Sequence, residues 1–397
     1  MMRKYKLSDV AVVNPKDKLE DLAIRVSFVP MQNVSENGDI DVSQTRLALE
    51  VSKGFTSFVD GDVLMAKITP CMENGKGAVA TGLCNGRGFG STEFFVIRPD
   101  HTKVRSEWIY YYTTQKQFRL DCEHNMTGSA GQKRVPKAYL ENKKIEIPAL
   151  AEQDDVLAKL GHIKRILTLR QQQLQKLDEL VKARFVEMFG DAVANPMNWP
   201  VKKLKDLSVQ INSGNTPKGG SENYVKDGIT FFRSQNVWKD RLEMDDIAYI
   251  DVETHESMKR SSLKHGDILM TKTGRINTEN SSLGRAALYM GEDDMANVNG
   301  HVYFIRLKPE VNNKFVLRIL VSPEYRDLIR RVCVGGIDKR QLNKEHIEDF
   351  PIICPPSDMI DEYVAFADQV NKSKVAVQRA LDETQLLFDS LMQKYFG

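Results

Sequence analysis

The stretch FVEMFG, at Phe185–Gly190 of a 397-residue chain, has a close counterpart in MQKYFG at 392–397. The two final glycines are 207 residues apart (397 − 190). Three further pairs of segments share nearly this offset: SFVPMQNV at 27–34 with TFFRSQNV at 230–237, DGDVLMAKITP at 60–70 with HGDILMTKTGR at 265–275, and PALAEQ at 148–153 with PPSDMI at 355–360. Collinear matches within so narrow a range of offsets predict an internal duplication of the whole chain.

Each copy is predicted to begin with a globular α+β part, at about 1–147 and about 198–353. Runs of β-branched and aromatic residues between Gly, Asn, Asp and Pro predict short strands. These runs are SFVPMQNV, DVLMAKI, TEFFVIRP, KIEIP, ITFFRSQNV, DILMTKT, HVYFIRL and FPIIC. Helices are predicted at SEWIYYYTTQKQFRLDC (106–122) and NKFVLRILVSPEYRDLIRRV (313–332).

Each copy is predicted to end in one long helix. Residues 154–189 contain no proline and one glycine, and their apolar residues recur every three or four positions. The same register continues 207 residues later, so the predicted helix-pair interface consists of Ile163, Leu167, Leu174, Leu177, Val181, Val370, Val377, Leu381, Phe388 and Leu391. A seam of about four heptads indicates a coiled coil between the two helices. The alternative is an amphipathic helix that packs on its own globular domain.

The duplication and the helices predict four parts: a globular domain at 1–150, a helical spacer at 151–194, a second globular domain at 195–355 and a second helical spacer at 356–397. At ~1.5 Å per residue, a helix of about 36 residues is ~54 Å long. This exceeds the ~34 Å of one turn of DNA. Two domains on such a spacer suit two successive sites on one face of a duplex.

Composition is that of a globular protein and argues against several functions. No apolar run approaches the ~20 residues that span a bilayer, so no membrane association is predicted. Five cysteines without a CxxC pair argue against a disulfide framework or zinc ribbon and favour a reducing cytoplasm. No GxxxxGK[ST] loop, no metal-spaced His pair and no nucleophile–base constellation is present, so neither catalysis nor a cofactor or metal is predicted.

The segment NPMNWP at Asn195–Pro200 has two interpretations. An Asn-Pro-x-aromatic stretch is found in amino-methyltransferases, where it grips a flipped base. Here the aromatic residue is one position too far along, and no Gly-rich turn supplies a cofactor site. We therefore interpret the segment as a linker that ends the helix and inserts Trp199 into the next core.

Two glycine loops with adjacent cations recur at an offset near 207: GSAGQKRVPK (128–137) and GGIDKRQLNK (335–344). Backbone amides and cations together suit phosphate oxygens of DNA. The alternative is a solvated turn. The repetition in both copies favours DNA contact.

Two polar loops follow the matched strands, AKITPCMENGKG (66–77) and TKTGRINTENSSLGR (271–285), and diverge from each other. Their residue types are those that read base edges, and divergent loops on one fold suit two different half-sites. Whether the repeated QNV segments (Gln32, Asn33; Gln235, Asn236) read bases or form turns is open. The full predicted DNA-binding set is Lys67, Thr69, Asn74, Lys76, Arg87, Lys133, Arg134, Arg233, Gln235, Lys272, Thr273, Arg275, Arg285, Lys339 and Arg340.

The order of these segments resembles the specificity (S) subunit of type I restriction–modification enzymes. The resemblance rests on GSAGQKRVPKAYLENKKIEIPALAEQ, then the long helix ending FVEMFGD, then NPMNWPVKKLKDL opening a new domain, and it covers essentially the whole chain. It implies two tandem target-recognition domains, each reading one half of a split DNA site. It also implies two long helices that pair as an antiparallel coiled coil with pseudo-two-fold symmetry.

The resemblance further implies a non-catalytic partner role. Two methyltransferase (M) subunits carry the adenine-methylating chemistry, and restriction/translocase (R) subunits join for cleavage. Two other functions remain as alternatives: a stand-alone DNA adenine methyltransferase with fused recognition domains, and a helical adaptor that binds proteins only.

Overall fold

The computed structural model describes residues 3–17, 19, 21–129, 131–278 and 280–397. It divides into two compact units. Unit 1 consists of Met1–Gln173 and Ala376–Gly397, and unit 2 consists of Leu174–Val375. Ala130 and Glu279, which belong to two of the loops predicted to bind DNA, lie outside the described residues. The division into four consecutive domains stays a prediction.

Unit 1 contains short strands and short helices, followed by one long helix. The strands are β1 (Arg3–Lys6), β2 (Ala11–Val13), β3 (Arg25–Val29), β4 (Thr45–Leu47), β5 (Thr56–Val59), β6 (Val63–Ala66), β7 (Gly77–Val79), β8 (Arg87–Gly90), β9 (Phe94–Pro99) and β10 (Lys144–Ile147). The helices are α1 (Leu7–Val10), α2 (Ala48–Val51), α3 (Ser106–Thr114), α4 (Lys116–His124), α5 (Lys137–Asn142) and α6 (Leu150–Phe189), which continues into unit 2.

Three sheets organise unit 1. One has the strand order β2-β9-β6-β7, a second has the order β4-β3-β8-β5, and β1 pairs with β10. The buried strand β6 is central, because Leu64 lies opposite Val96 on one side and Ala78 on the other. The fully buried Trp108 of α3 packs against this framework, and its Nε1 donates to the carbonyl of Glu146 at 3.0 Å.

Unit 2 repeats this composition of elements. Its strands are β11 (Val201–Lys203), β12 (Ser208–Ser213), β13 (Ile229–Phe232), β14 (Ala248–Ile250), β15 (Ile268–Thr271), β16 (Thr273–Arg275), β17 (Ala286–Leu288), β18 (Ala296–Val298), β19 (Val302–Leu307), β20 (Val334–Gly335), β21 (Lys339–Gln341) and β22 (Pro351–Ile353). Its helices are α7 (Val252–Ser257), α8 (Asn313–Leu320), α9 (Pro323–Val332), α10 (Lys344–Glu348) and α11 (Ser357–Phe396), which continues into unit 1.

The strand order of the central sheet is the same in both units. In unit 2 it is β12-β19-β15-β17, which matches β2-β9-β6-β7 of unit 1 strand for strand. The matched sequences DGDVLM and HGDILM form β6 and β15, both buried. A buried ion pair recurs as well, Asp62 with Arg98 and Asp267 with Arg306. The duplicated sequence therefore folds into two units with the same central sheet.

Both long helices contribute to the core of each unit. In unit 1, Leu160 of α6 and Phe396 of α11 belong to the same buried cluster, and the Phe396 ring lies 4.6 Å from Trp108. In unit 2, Phe189 of α6 lies 5.7 Å from Tyr363 of α11. Each globular part is thus covered by the first half of the helix that follows it and by the last half of the other helix.

Every predicted helix-pair position is half-buried or buried. The exposure of the side chains is lower along this seam than beside it, since neighbouring Ile166 and Leu169 are 41% and 53% exposed. Arg170 occupies one slot of the seam and donates to the Ala380 carbonyl and the Thr384 hydroxyl, all within unit 1. In unit 2, Arg184 pairs with Glu362 at 2.6 Å. The apolar repeat therefore identified the less exposed stripe of both helices.

Several predicted elements are shorter than expected. The predicted strand at 27–34 ends at Val29, because Pro30 has no backbone N–H to continue the ladder, and Met31–Asn33 form a 3-10 turn. The predicted helix at 313–332 is broken before Pro323 for the same reason. The long helix, in contrast, is longer than expected, since it begins at Leu150, four residues earlier. It ends at Phe189, just before Gly190, whose φ of 74° favours glycine.

No helix among the described residues is long and apolar enough to cross a membrane.

Candidate nucleic-acid interface

In unit 1 the structure joins two loops that the sequence places more than fifty residues apart. Thr69 N–H donates to the Lys133 carbonyl at 3.1 Å, and Val135 N–H donates to the Lys67 carbonyl at 2.9 Å. Ile68 also forms a bridge with Arg134. Lys67, Thr69, Lys133 and Arg134 therefore lie together at the end of β6, and we call them the unit 1 basic cluster.

The cations of this cluster differ in how they are held. Arg134 forms a two-point contact with Glu93, with Nε–Oε2 at 3.0 Å and Nη2–Oε1 at 2.9 Å. This contact lowers the pKa of Glu93 below its usual range. Lys133 is exposed and has no ion-pair partner among the described residues. Arg134 thus anchors the loop, while Lys133 is presented to solvent.

In unit 2 the corresponding loops form a small antiparallel sheet. Gly274 of β16 lies opposite Arg340 of β21, and Arg275 lies opposite Lys339. Leu342 N–H donates to the Lys272 carbonyl at 2.9 Å. The pairing brings together Lys272, Thr273, Arg275, Lys339 and Arg340, which we call the unit 2 basic cluster.

The unit 2 basic cluster is held more loosely than its counterpart. Arg340 has no carboxylate partner among the described residues and donates only to the Gly336 carbonyl, at 3.3 Å. Arg275 lies 3.2 Å from Asp338, but both side chains are more than half exposed. Exposed ion pairs of this kind contribute little and are screened by salt. The cations are therefore available to an incoming polyanion.

Three other predicted residues of unit 1 have mixed positions. Asn74 and Lys76 lie on the loop between β6 and β7, and Lys76 Nζ donates to the Met31 carbonyl at 3.4 Å. This places Lys76 beside the QNV turn of unit 1. Arg87 begins β8 in the other sheet, opposite Val59, and is not part of the loops that form the unit 1 basic cluster.

Three predicted residues of unit 2 contact other side chains of the protein. Arg233 and Gln235 both contact Asp246, at 3.1 Å and 2.7 Å. Arg285 is 7% exposed and stacks on the Trp238 ring at 3.9 Å, and burial lowers the pKa of its guanidinium. In the free protein, these three side chains therefore stabilise contacts within unit 2. Their predicted DNA contacts stay predictions.

The two QNV segments are turns. Asn236 is 1% exposed, and its side chain accepts from Arg233 N–H at 3.0 Å and donates to the Glu243 carbonyl at 3.1 Å. Asn33 donates to the Asp41 carbonyl at 3.4 Å. These bonds support the turn-forming interpretation for both asparagines.

The linker interpretation of NPMNWP is also supported by contacts. Asn195 accepts from Trp199 N–H at 2.9 Å and donates to the Trp199 carbonyl at 2.8 Å. Trp199 Nε1 donates to the Phe189 carbonyl at 3.1 Å, and its ring packs on the main core of unit 2. The asparagine amide is occupied in closing a turn, which is not the arrangement needed to grip a base.

One further loop was missed by sequence reasoning. Residues 214–223 follow β12, and Gly214 N–H donates to the Val302 carbonyl at 3.1 Å. Lys272 N–H donates to the neighbouring His301 carbonyl at 2.8 Å, so the loop starts beside the unit 2 basic cluster. It carries the exposed Lys218. Its Gly-rich composition with a lysine, SGNTPKGG, is the signal that could have identified it.

Among the described residues, no three His, Cys, Asp or Glu side chains group as ligands for a metal ion.

Each of the two units thus combines the same central sheet with a cationic loop cluster at the end of a matched strand. Residues 2–179 match the model of the family described as type I restriction modification DNA specificity domain.

Named relatives are similar over a comparable length of the chain. The Escherichia coli EcoAI specificity subunit is 37% identical over 177 residues, which is 43% of this chain and 30% of that protein. The Escherichia coli EcoEI specificity subunit is 38% identical over 174 residues, which is 43% of this chain and 29% of that protein. The matched part thus spans less than a third of these relatives' length.

Solved structures extend the likeness in fold to the whole chain. A chain from a type I R-M system aligns with a TM-score of 0.59 at 18% identity, covering 100% of this chain and 97% of that one. The type I restriction–modification S subunit from M. genitalium aligns with a TM-score of 0.58 at 13% identity, covering 100% and 96%.

Proposed function

We propose that this chain is the sequence-specific DNA-recognition subunit of a type I restriction–modification system and reads a bipartite, asymmetric site. The observation that carries the proposal is the repeated assembly of a cationic loop cluster at the end of the matched strands β6 and β15. Phosphate contacts from such clusters supply affinity and register. The divergent loops around them supply the reading of bases.

The same proposal assigns the chain no chemistry of its own. Methylation of adenine belongs to two M subunits, and cleavage belongs to R subunits. Because the two units repeat one fold, each offers an equivalent surface to one M subunit. The proposed location is the cytoplasm. The relatives' names and the repeated fold support this assignment.

We further propose that α6 and α11 pair as an antiparallel coiled coil and give the chain pseudo-two-fold symmetry. The half-buried seam supports this arrangement. So do the contacts inside each unit, where residues early in one helix meet residues late in the other. In this proposal the four predicted parts act as two recognition domains at 1–150 and 195–355 and two spacers at 151–194 and 356–397.

The DNA proposal predicts selection of a split motif. The chain, assembled with its M subunits, is incubated with a pool of randomised duplexes, and the shifted fraction is sequenced. We expect enrichment of two short, different half-sites at a fixed separation. A pool that returns no motif, although the complex is intact by gel filtration, would exclude sequence-specific recognition and favour the protein-binding adaptor.

The spacer proposal predicts a change in half-site separation. Deleting one heptad from the middle of each helix, residues 170–176 and 376–382, shortens each by about 10 Å. At ~3.4 Å per base pair, the separation should shrink by about three base pairs while both half-sites stay unchanged. The same duplex selection measures both quantities. Altered half-sites at unchanged separation would show that the helices do not act as a spacer.

The stand-alone methyltransferase is the less supported alternative. The described contacts of Asn195 and Trp199 close a linker turn, as detailed above. Photo-crosslinking of labelled S-adenosylmethionine to the isolated chain tests it directly. Specific labelling that unlabelled cofactor displaces would restore this function.

A further inference from the structure

Unit 2 contains a polar cavity that the DNA proposal does not use. Its volume is about 150 Å³, and it lies between α8, α11, the second half of α6 and the turn at Asp240. Six charged side chains and the hydroxyl of Tyr363 line it, together with apolar residues of these elements.

Four of the six charges around the cavity neutralise each other. Asp178 pairs with Lys374 at 2.5 Å, and Lys314 pairs with Asp368 at 2.6 Å.

Two opposite charges, Arg318 and Asp240, are left without a direct side-chain partner among the described residues. Asp240 is exposed to solvent, yet desolvation by the surrounding protein raises the pKa of its carboxyl against the influence of Arg318. One cation and one anion therefore face the cavity with unused binding capacity.

The tyrosine of the cavity has an unused hydrogen-bonding group. Tyr363 is 2% exposed and packs edge-on against Phe185 and Phe189 at 5.5 Å and 5.7 Å. Its hydroxyl has no hydrogen-bond partner within the described structure. Burial raises its pKa to about 12, so the group is a neutral donor at pH 7. An unpaired buried hydroxyl is costly, which makes a partner for it favourable.

Unit 1 shows how the same place is filled when the chain supplies the group itself. There the ammonium of Lys164 donates to the backbone carbonyl of Asn37 at 2.6 Å and ties the turn to α6. By the offsets of the repeat, Asn37 corresponds to Asp240 (240 − 203) and Lys164 corresponds to Asn371 (371 − 207). In unit 2 the ammonium is therefore replaced by a shorter amide, and the turn carries a carboxylate.

We propose that this cavity binds a small zwitterion, in the simplest case a free α-amino acid. Its ammonium takes the role that Lys164 has in unit 1 and contacts Asp240. Its carboxylate accepts from Arg318 and from the hydroxyl of Tyr363. A cavity of about 150 Å³ accepts a six-carbon ring in another protein, so the six heavy atoms of alanine suit its size.

Calorimetric titration of the full chain with L-alanine tests the site. We expect saturable binding of one molecule per chain, and binding at least tenfold weaker for acetate and for methylammonium, each of which has half of the charges. Equal binding of acetate and alanine, or no binding of alanine at millimolar concentration, would overturn the proposal. No DNA is present, so the result is independent of the recognition function.

Variants separate ligand contact from folding. Asp240→Asn and Tyr363→Phe should each weaken alanine binding about tenfold, as for one hydrogen bond to a charged group. Tyr363→Phe should not lower the melting temperature, because the hydroxyl has no partner to lose. Asp206→Asn, at an exposed aspartate outside the cavity lining, is the matched control and should bind normally.

Asn371→Lys supplies an ammonium from the chain itself. It should abolish alanine binding and raise the melting temperature of the chain, as expected if Lys164 and the ligand play one role. A variant that still binds alanine with the original affinity would contradict the proposed position of the ammonium.

Discussion

Replacing Arg275 and Lys339 together by alanine is expected to weaken DNA binding by about 60-fold at ~0.1 M salt. Each phosphate contact adds about −0.9 to the slope of log K against log [salt]. At ~0.1 M salt this slope corresponds to a contribution of about eightfold in affinity per contact, relative to 1 M salt. The two side chains lie opposite each other on β16 and β21, so both are expected to reach the same stretch of backbone. Titrations of the assembled complex at several salt concentrations measure affinity and slope.

The loss should be the same for all sequences, because phosphates carry no base identity. The slope should fall by about two, and the selected half-sites should stay unchanged. Arg260→Ala with Lys308→Ala is the matched control. Both control residues lie near the end of β19 that is far from the cluster. Lys308 directly follows that end, whereas His301 precedes the other one. Arg260 is close in sequence to Ser262, whose carbonyl accepts from Arg306 near the Lys308 end. If the control weakens binding equally, the effect is one of net charge rather than of the unit 2 basic cluster.

The periodic features of the fold were predictable from the sequence. The offset near 207 located two copies, and the matched strands became β6 and β15 with identical positions in their sheets. The seam from Ile163 to Leu391 followed the less exposed face of both long helices. These features are periodic, and a periodic pattern can be detected in the sequence alone.

Contacts between distant residues were not predictable in the same way. Arg134 forms an ion pair with Glu93, and Arg285 stacks on Trp238. Nothing in the sequence indicates that the members of either pair are in contact. Which cation is engaged depends on strand pairing and on loop length. The repeat nevertheless identified the two glycine loops, because cations were placed at equivalent positions in both copies.

The composition of each unit also escaped sequence reasoning. The last turns of α11 pack on Trp108 of unit 1, although they follow it by nearly three hundred residues. No local sequence pattern predicts this partner. The spacing of Phe396 from the other apolar residues of α11 is the same whether it packs on its own domain or on another. Local breaks were easier to explain after the fact. Pro30 and Pro323 each ended an element that the apolar pattern alone had extended.

Removal of the buried carboxylate Asp267 is expected to destabilise unit 2 by about 3–5 kcal/mol, the usual effect of leaving one member of a buried ion pair alone. Asp267 is 1% exposed and binds Arg306 with Nε–Oδ1 at 3.0 Å and Nη2–Oδ2 at 2.8 Å. It also accepts from Lys264 N–H at 2.8 Å. Asp267→Ala therefore leaves the Arg306 guanidinium without a carboxylate and the Lys264 N–H without its acceptor.

The equivalent change in unit 1 should cost less. Asp62→Ala removes the same contacts to Arg98, but Arg98 keeps a second two-point contact with Asp17, at 2.8 Å and 2.7 Å. The remaining loss is chiefly that of hydrogen bonds such as Val59 N–H to Asp62, or about 1–3 kcal/mol. The two variants thus compare the loss of stability with and without a second carboxylate bound to the arginine.

Asp267→Asn should be milder than Asp267→Ala. Burial raises the pKa of Asp267, so the charged carboxylate is less favourable in the folded unit than in the unfolded chain, and its contribution to stability falls as pH rises from the ordinary pKa of an aspartate to the raised one. An amide keeps an acceptor without the charge. Hydrogen exchange of peptides from β15 and β19, compared with those from β6 and β9, measures opening of each unit separately. Equal effects of Asp62→Ala and Asp267→Ala would show that Asp17 does not sustain Arg98. In place of that second carboxylate, Arg306 has only neutral acceptors, the Gln210 side chain at 3.3 Å and the Ser262 carbonyl at 3.0 Å.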